Sequence, residues 1–241
     1  MHNLAFSGTN IKAHLVDKQL RLWNARVRAA NEKADAESDF RFLTIAKDEG
    51  SLGDEVAREL SHRLGWHVFD EEIIHYIAQN SHVSEKLVRQ LDQKSQSGIQ
   101  EAIERFLRTI ETDSFSPDDY REALLVTLMC LAKHGAAILV GRGANFALSN
   151  EKHGLKVRLT ASPEVRVQRL AERWKVTEDE ARHRMQINDG DKKKFIRHYY
   201  WRDYDDMRFY DVMFNTDRTS ADRVASSIQA FMNHPDDVMI V

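Results

Sequence analysis

With 241 residues, the chain is long enough for one α/β core that carries a helical insertion. Its formal net charge of -3 at pH 7 excludes the global basic field that non-specific binding to a nucleic acid polymer requires, so any phosphate binding must be local. The sequence has one cysteine, Cys130, and neither a membrane-length apolar stretch nor the apolar core of a signal peptide. We therefore expect a cytoplasmic protein without a disulfide framework or a membrane partner.

Residues 1–40 are polar overall but carry apolar side chains at spacings of three and four residues. This spacing is typical of a helix with one apolar face, so it predicts a helical extension before the first strand. Two alternatives remain open for what covers that face: the chain's own domain, or a second copy or protein partner bound through residues 11–36. The apolar stripe consists of Val16, Leu20, Trp23, Val27 and Ala30.

From residue 41 to residue 235, short apolar segments alternate with helical patterns, which predicts an α/β domain around a parallel sheet. Residues 81–134 look helical throughout and indicate the helical insertion. A charged helix is expected from about Thr177, with an interruption near Asn188–Asp191. The expected strands are Phe42–Ala46, His67–Phe69, Ala136–Val140, Val157–Thr160 and Val212–Phe214.

Ligands of an open parallel sheet bind beyond the carboxyl ends of its strands. Four of the five expected strands are followed there by distinctive polar segments, which we take as the candidate site. These segments are Lys47–Gly53, Asp70–Glu72, Gly141–Asn145 and Asn215–Arg218.

Several of these segments resemble the cytidylate kinase-like family, in the family's order. Leu43–Val56 is similar to its first loop, where an Ile-Thr-Ile strand precedes Arg-Glu-Tyr-Gly-Ser-Gly-Gly-Arg-Glu. The resemblance covers about residues 41–233 and implies a three-layer parallel sheet of the P-loop NTPase type. It also implies transfer of a phosphoryl group from a nucleoside triphosphate to a small acceptor, such as a nucleoside monophosphate. The further matching segments are Trp66–Ile74, Val140–Ala144, Ala161–Arg166 and Tyr210–Thr216.

The phosphate loop departs from the family pattern. Gly50, Ser51 and Gly53 keep the turn, but Leu52 replaces a glycine and Asp54 replaces an arginine. The acidic replacement stabilises the start of a helix and repels a phosphate in the same place. Two hypotheses therefore stay open: a loop that binds a triphosphate, or a vestigial turn kept for the fold.

Lys47 is the candidate to replace the missing P-loop lysine by reaching back over the loop. Mg²⁺ is expected with ATP because of the resemblance, but its protein ligands are unknown. Ser51, Asp48 and Glu55 are weak candidates for them.

Arg142 leaves a buried strand between two glycines, and the resemblance implies a contact with the acceptor there. The alternative is a structural pair with a carboxylate. Asp70 also matches a position on the acceptor side, although it fits equally well as the N-cap of the following helix. Arg166 is a candidate for nucleotide binding, because it ends the matching segment Ala161–Arg166, and the resemblance implies that it closes over the transferred group with the lid residues.

Residues 188–206 are the candidate lid, because Asp189, Lys192, Lys194 and Arg197 match the acidic and basic residues of the family's lid. Aromatic residues interleave with these charges, which indicates docking onto a surface. Phosphoryl transfer depends mostly on such electrostatic clamping. The predicted function is thus a nucleotide-binding, ATP-dependent kinase. The alternative is a catalytically inactive nucleotide or anion sensor, or a scaffold, on the same fold.

Overall fold

The computed structural model describes residues 18–23, 25, 27, 40–80, 87–88 and 117–233. Five strands lie in this part of the chain: β1 Phe42–Lys47, β2 His67–Phe69, β3 Ala137–Val140, β4 Gly154–Thr160 and β5 Val212–Asn215. The α-helices whose bounds lie within the described residues are α1 Gly53–Leu64, α2 Glu71–Gln79, α3 Pro117–His134, α4 Ala144–Ala147, α5 Pro163–Trp174, α6 Glu178–Tyr200 and α7 Ala221–Asn233. A 3₁₀ turn covers Met207–Phe209.

The strands form one parallel sheet in the order β2-β3-β1-β4-β5, as the alternating pattern predicts. The central strand β1 pairs with β3 on one side, where Ile45 is opposite Val140, and with β4 on the other, where Ile45 is opposite Val157. The carboxyl ends of β1, β3 and β4 therefore meet at one edge. This edge carries the candidate site.

Alternating side chains of the strands face two different cores, because successive residues of a strand point to opposite faces of the sheet. Leu43 and Ile45 pack against α1 and α7, whereas Phe42 packs against α2 and α3. Helices thus cover both faces, and the predicted three-layer α/β fold is confirmed. In the residues that the structure describes, no helix combines the length and apolar character needed to cross a membrane.

Helical residues of the N-terminal extension pack on the chain's own domain. Leu20, Trp23 and Val27 are buried in the core that also contains Phe69. The indole Nε1 of Trp23 donates a hydrogen bond to the carbonyl of Gly135 at 2.9 Å. Own-domain packing therefore accounts for these three side chains, while Val16 and Ala30, with residues 11–17, 24, 26 and 28–36, lie outside the described residues.

Of the predicted helical insertion, residues 81–86 and 89–116 lie outside the described residues. The described remainder is helical: Leu87 and Val88 are buried helical residues, and α3 begins at Pro117. The start at Pro117 agrees with the expectation that proline occupies the first turn of a helix.

The predicted interruption near Asn188–Asp191 is wrong, because α6 continues through it as one helix of 23 residues. Asp189 receives a hydrogen bond from the backbone N–H of Glu49 at 3.1 Å and pairs with Arg166. These tertiary contacts outweigh the weak helix propensity of the segment. The helix begins at Glu178, close to the predicted start, and its N-cap is Thr177, whose side chain accepts a hydrogen bond from the N–H of Glu180.

Gly190 lies in the middle of α6, and a methyl group added there would have no neighbour within 4 Å. Gly190→Ala should therefore raise the free energy of unfolding by about 0.5–1 kcal/mol, because alanine loses less backbone entropy on folding. Urea unfolding monitored by circular dichroism measures this change. Gly143→Ala is the matched control and should destabilise, because Gly143 has φ 69° and packs against Tyr200. Destabilisation by Gly190→Ala would contradict the assignment of an unobstructed helix.

Candidate active site

A cavity of about 380 Å³ opens at the carboxyl edge of the sheet, between β1, β3 and α6. Its lining mixes cations, carboxylates and apolar side chains, so it suits a ligand with both charged and apolar parts. The lining residues are Ala46, Lys47, Glu49, Glu71, Gly141, Arg142, Gly143, Asn145, Asn188, Asp191, Lys192, Phe195, Ile196 and Tyr204.

The phosphate-loop turn keeps the backbone shape that an anion site needs. Gly50 and Leu52 have positive φ angles of 82° and 64°, and the Ser51 hydroxyl donates a hydrogen bond to the Asp48 carbonyl at 2.7 Å. Helix α1 starts directly after Leu52 without a side-chain cap. The first N–H groups of a helix have no partner within the helix, so those of α1 need a partner outside it.

Lys47 does reach back over the loop, but a carboxylate engages its ammonium group. Its aliphatic stem crosses Gly53 so closely that an added Cβ would lie 2.5 Å from the Lys47 Cδ. The Nζ then forms an ion pair with Asp54, the residue that replaces the family's arginine. Gly53 is therefore required for the path of Lys47, and Asp54 competes with any phosphate for its charge.

Arg158 on β4 holds the base of the phosphate loop from within the protein. The residue is 5% exposed, and its Nη2 donates to Asp48 at 2.8 Å and to Asp205 at 3.0 Å. Its Nη1 donates to the Tyr204 carbonyl at 2.7 Å. Burial disfavours the charge, but the neighbouring Tyr204 and Asp48 outweigh this and raise the pKa of Arg158 above its usual value.

Sequence reasoning missed Arg158, which lies inside an expected strand. The available signal was a charged residue in the middle of a central strand, where parallel sheets are normally apolar on both faces. Such a residue requires a buried partner.

Arg166, Asp189 and Lys192 meet at the outer side of the loop. Arg166 donates from Nε to the Glu49 carbonyl at 2.7 Å and pairs with Asp189. Lys192 pairs with the Glu49 carboxylate at 3.1 Å. The three predicted residues are thus brought together, and each cation is already matched by a carboxylate.

Arg142 faces the cavity from the end of β3. Its Nε donates to the Glu71 carbonyl at 3.2 Å, and its guanidinium carbon lies 5.0 Å from the centre of the Phe195 ring. No carboxylate among the described residues forms an ion pair with Arg142. In that part of the chain, the alternative of a structural ion pair is therefore not observed.

Asp70 is not brought together with Arg142. Its carboxylate caps α2 by accepting hydrogen bonds from the N–H groups of Glu72 and Ile73, at 3.1 and 2.9 Å. It lines a separate depression with Asp54 and Arg58, outside the cavity. The structure thus places Asp70 as the N-cap that the sequence also allowed.

Lys194 and Arg197 lie on the outer side of α6. Lys194 is exposed and pairs with Asp191 at 2.9 Å. Lys194 and Arg197 both line a second groove of about 400 Å³, together with Lys193 and Arg202. Neither residue lines the cavity that holds Arg142 and Lys192.

The weak candidates for a Mg²⁺ site are engaged elsewhere. The Asp48 carboxylate accepts from Arg158 and from the Thr160 hydroxyl, and Glu55 pairs with Arg173. No cluster of three or more His, Cys, Asp or Glu side chains in the described residues could hold a metal ion. These side chains do not fit a protein-held Mg²⁺ site.

Comparison with known sequences identifies the family of this chain. The sequence profile of the cytidylate kinase-like family matches residues 42–218. The chain belongs to this family. The matched region includes the phosphate loop, Arg142 and the whole of α6.

Two curated relatives are cytidylate kinases of archaea. The chain is 30% identical to the protein of Staphylothermus marinus over 101 residues, which is 42% of this chain and 56% of that protein. It is 34% identical to the protein of Methanopyrus kandleri over 107 residues, which is 41% of this chain and 55% of that protein. The chain thus spans about half the length of the curated relatives it matches.

A solved structure of an uncharacterized protein from Eubacterium ventriosum has a similar fold. The TM-score is 0.55 at 18% identity, and the match covers 80% of this chain and 98% of that one.

Replacing Asp48 tests whether Arg158 anchors the loop. Asp48→Asn should lower the free energy of unfolding by about 3 kcal/mol, because it removes one partner of a buried ion pair while Asp205 remains. Asp191→Asn is the control: it removes the exposed partner of Lys194 and should cost less than about 0.5 kcal/mol. Urea denaturation of both variants measures the difference. Equal losses would show that the buried pair does not support the loop.

Proposed function

We propose that the chain binds a nucleoside triphosphate and transfers its terminal phosphoryl group to a small acceptor, such as a nucleoside monophosphate. The observation that carries this proposal is that Lys47, Lys192 and Arg142 line one cavity, and that the stem of Lys47 passes over Gly53 at the start of α1. Membership of the cytidylate kinase-like family and the two relatives named cytidylate kinase support it.

The donor half of the proposed site is the phosphate loop. The free N–H groups at the start of α1 and the ammonium of Lys47 would face the phosphates, and Lys192 would add a charge from α6. Gly50, Ser51 and Gly53 form the turn that would present its backbone to a phosphate. The Mg²⁺ expected with ATP would enter on the nucleotide, since the side chains described above do not provide its ligands.

The acceptor half centres on Arg142. Its planar guanidinium can hold two oxygens of an anionic group at once, which a lysine cannot do. The Phe195 ring beside it supplies an apolar wall for the rest of the acceptor. Placing an acceptor oxygen close to the terminal phosphate contributes to catalysis, because phosphoryl transfer depends on position and charge rather than on a covalent step with the protein.

The charges around the loop are compensated within the protein itself. Lys47 pairs with Asp54, Lys192 with Glu49 and Arg166 with Asp189. A triphosphate must therefore displace carboxylates before it gains these contacts, so its affinity depends on the acidic residues as much as on the basic ones.

Lys47 and Asp54 provide a paired test of the donor half. Lys47→Ala should weaken ATP binding by about tenfold to a hundredfold, because a charge-assisted contact contributes about 1.5–3 kcal/mol. Asp54→Asn should strengthen ATP binding, because it frees the lysine and removes a repulsive charge. Isothermal titration calorimetry measures both affinities.

Glu55→Gln is the matched control, since Glu55 occupies the same helical turn but pairs with Arg173. Unchanged ATP affinity in Lys47→Ala would remove Lys47 from the donor site. Binding of ATP and of cytidine monophosphate without any turnover would select the sensor function instead of the kinase.

Replacing Arg142 tests the acceptor half. Arg142→Lys keeps the charge but loses the planar fork, so the dissociation constant for cytidine monophosphate should rise about tenfold to a hundredfold while ATP binding stays unchanged. Arg121→Lys serves as the control, because Arg121 also donates to a backbone carbonyl and lies over an aromatic ring, but outside the cavity. Equal effects of the two variants would argue against an acceptor role for Arg142.

A further inference from the structure

Tyr200, at the C-terminal end of α6, contacts the backbone of Arg142. Its hydroxyl donates a hydrogen bond to the Arg142 carbonyl at 2.6 Å, although the two residues are 58 positions apart. Burial raises the pKa of this phenol above its usual value, so the hydroxyl keeps its proton and remains a donor. The sequence pattern of aromatic residues in the candidate lid indicated docking, and this is one surface onto which they dock.

Arg142 needs such support because its backbone is left-handed. Its φ angle is 50°, and the flanking Gly141 and Gly143 have φ angles of 78° and 69°. A residue with a Cβ is disfavoured in this region, whereas glycine adopts it freely. Arg142 is therefore the member of this turn that would relax if its carbonyl were released.

The ring of Tyr200 fits against the same turn. A Cβ added to Gly143 would clash with the Cε2 of Tyr200, so glycine is required there for the ring to approach. Tyr200 thus holds the turn twice, by packing on Gly143 and by the hydrogen bond to Arg142. Removing only the hydroxyl separates these two contributions.

The direction of the Arg142 guanidinium follows from this backbone. The guanidinium itself has two contacts: its Nε donates to the Glu71 carbonyl, and it lies over the Phe195 ring. A rotation of the backbone about the Arg142 Cα would move both contacts and turn the fork away from the cavity. Bidentate contacts depend on the orientation of the fork, so a small rotation affects binding strongly.

We propose that Tyr200 is the positioning residue for Arg142: its hydroxyl holds the left-handed turn that aims the guanidinium at an anionic acceptor. This rests on the proposed acceptor role of Arg142 and adds the residue that sets its geometry. A purely structural tyrosine would contribute to stability alone.

Tyr200→Phe tests this, because it keeps the ring and removes the hydrogen bond. Tyr210→Phe is the matched control, since the Tyr210 hydroxyl also donates to a backbone carbonyl at 2.6 Å, that of Tyr204. Three quantities are compared in both variants: the urea midpoint, the dissociation constants for cytidine monophosphate and ATP, and the Nε–Hε NMR signal of Arg142 without ligand. Loss of this signal in Arg142→Lys identifies it.

We expect Tyr200→Phe to weaken cytidine monophosphate binding about tenfold, to leave ATP binding unchanged and to shift the Arg142 signal. The Tyr210 hydroxyl also accepts from Arg158 at 3.3 Å, so Tyr210→Phe should cost at least as much stability but leave the Arg142 signal and the affinity for cytidine monophosphate unchanged. An unshifted signal in Tyr200→Phe would overturn the proposal. If the wild-type protein bound no cytidine monophosphate, the proposed function would fail, while the NMR comparison would still decide whether Tyr200 positions Arg142.

Discussion

The buried ion pair between Arg158 and Asp48 is the contact on which the geometry of the site depends. Asp48 is the first residue of the phosphate loop, and Arg158 lies on the neighbouring strand β4. The same guanidinium also holds Asp205 and the Tyr204 carbonyl, which follow α6. One cation therefore ties the loop to the segment that ends the long helix. A buried charge without its partners is strongly unfavourable, so these elements hold their positions together.

The fold could be predicted from the sequence because its strands are central and parallel. Strands such as Ala137–Val140 are buried on both faces and so read as continuous apolar runs. The N-terminal stripe was equally readable, since Leu20, Trp23 and Val27 recur at helical spacing. The surface that covers this stripe could not be predicted, because a periodic pattern identifies the apolar face of a helix but not the residues that pack against it.

The site was predictable only in part, for a geometric reason. The strand-end rule located Lys47 and Arg142, whose positions follow directly from the sheet. Lys192, Lys194 and Arg197 were grouped as one lid, but successive residues of a helix are rotated by about 100°. Lys194 therefore points roughly 200° away from Lys192 around the helix axis. Lys192 and Lys194 therefore face different sides of one continuous helix. Local sequence could not reveal this continuity, because the contacts that stabilise Asn188–Asp191 as helix are tertiary.

Continuity of α6 has a thermodynamic consequence. Asp189 and Lys192 contact the phosphate loop, whereas Phe195 and Tyr200 contact Arg142. From Asp189 to Tyr200 the unbroken helix is about 16 Å long. A rigid rod cannot tilt at one end without moving the other. Ligands that displace the helix at the loop and at Arg142 thus share one conformational free energy, and linkage requires this coupling to be reciprocal. In the proposed kinase, occupancy of either half would then change the affinity of the other by the same factor, with no dedicated signalling element between them.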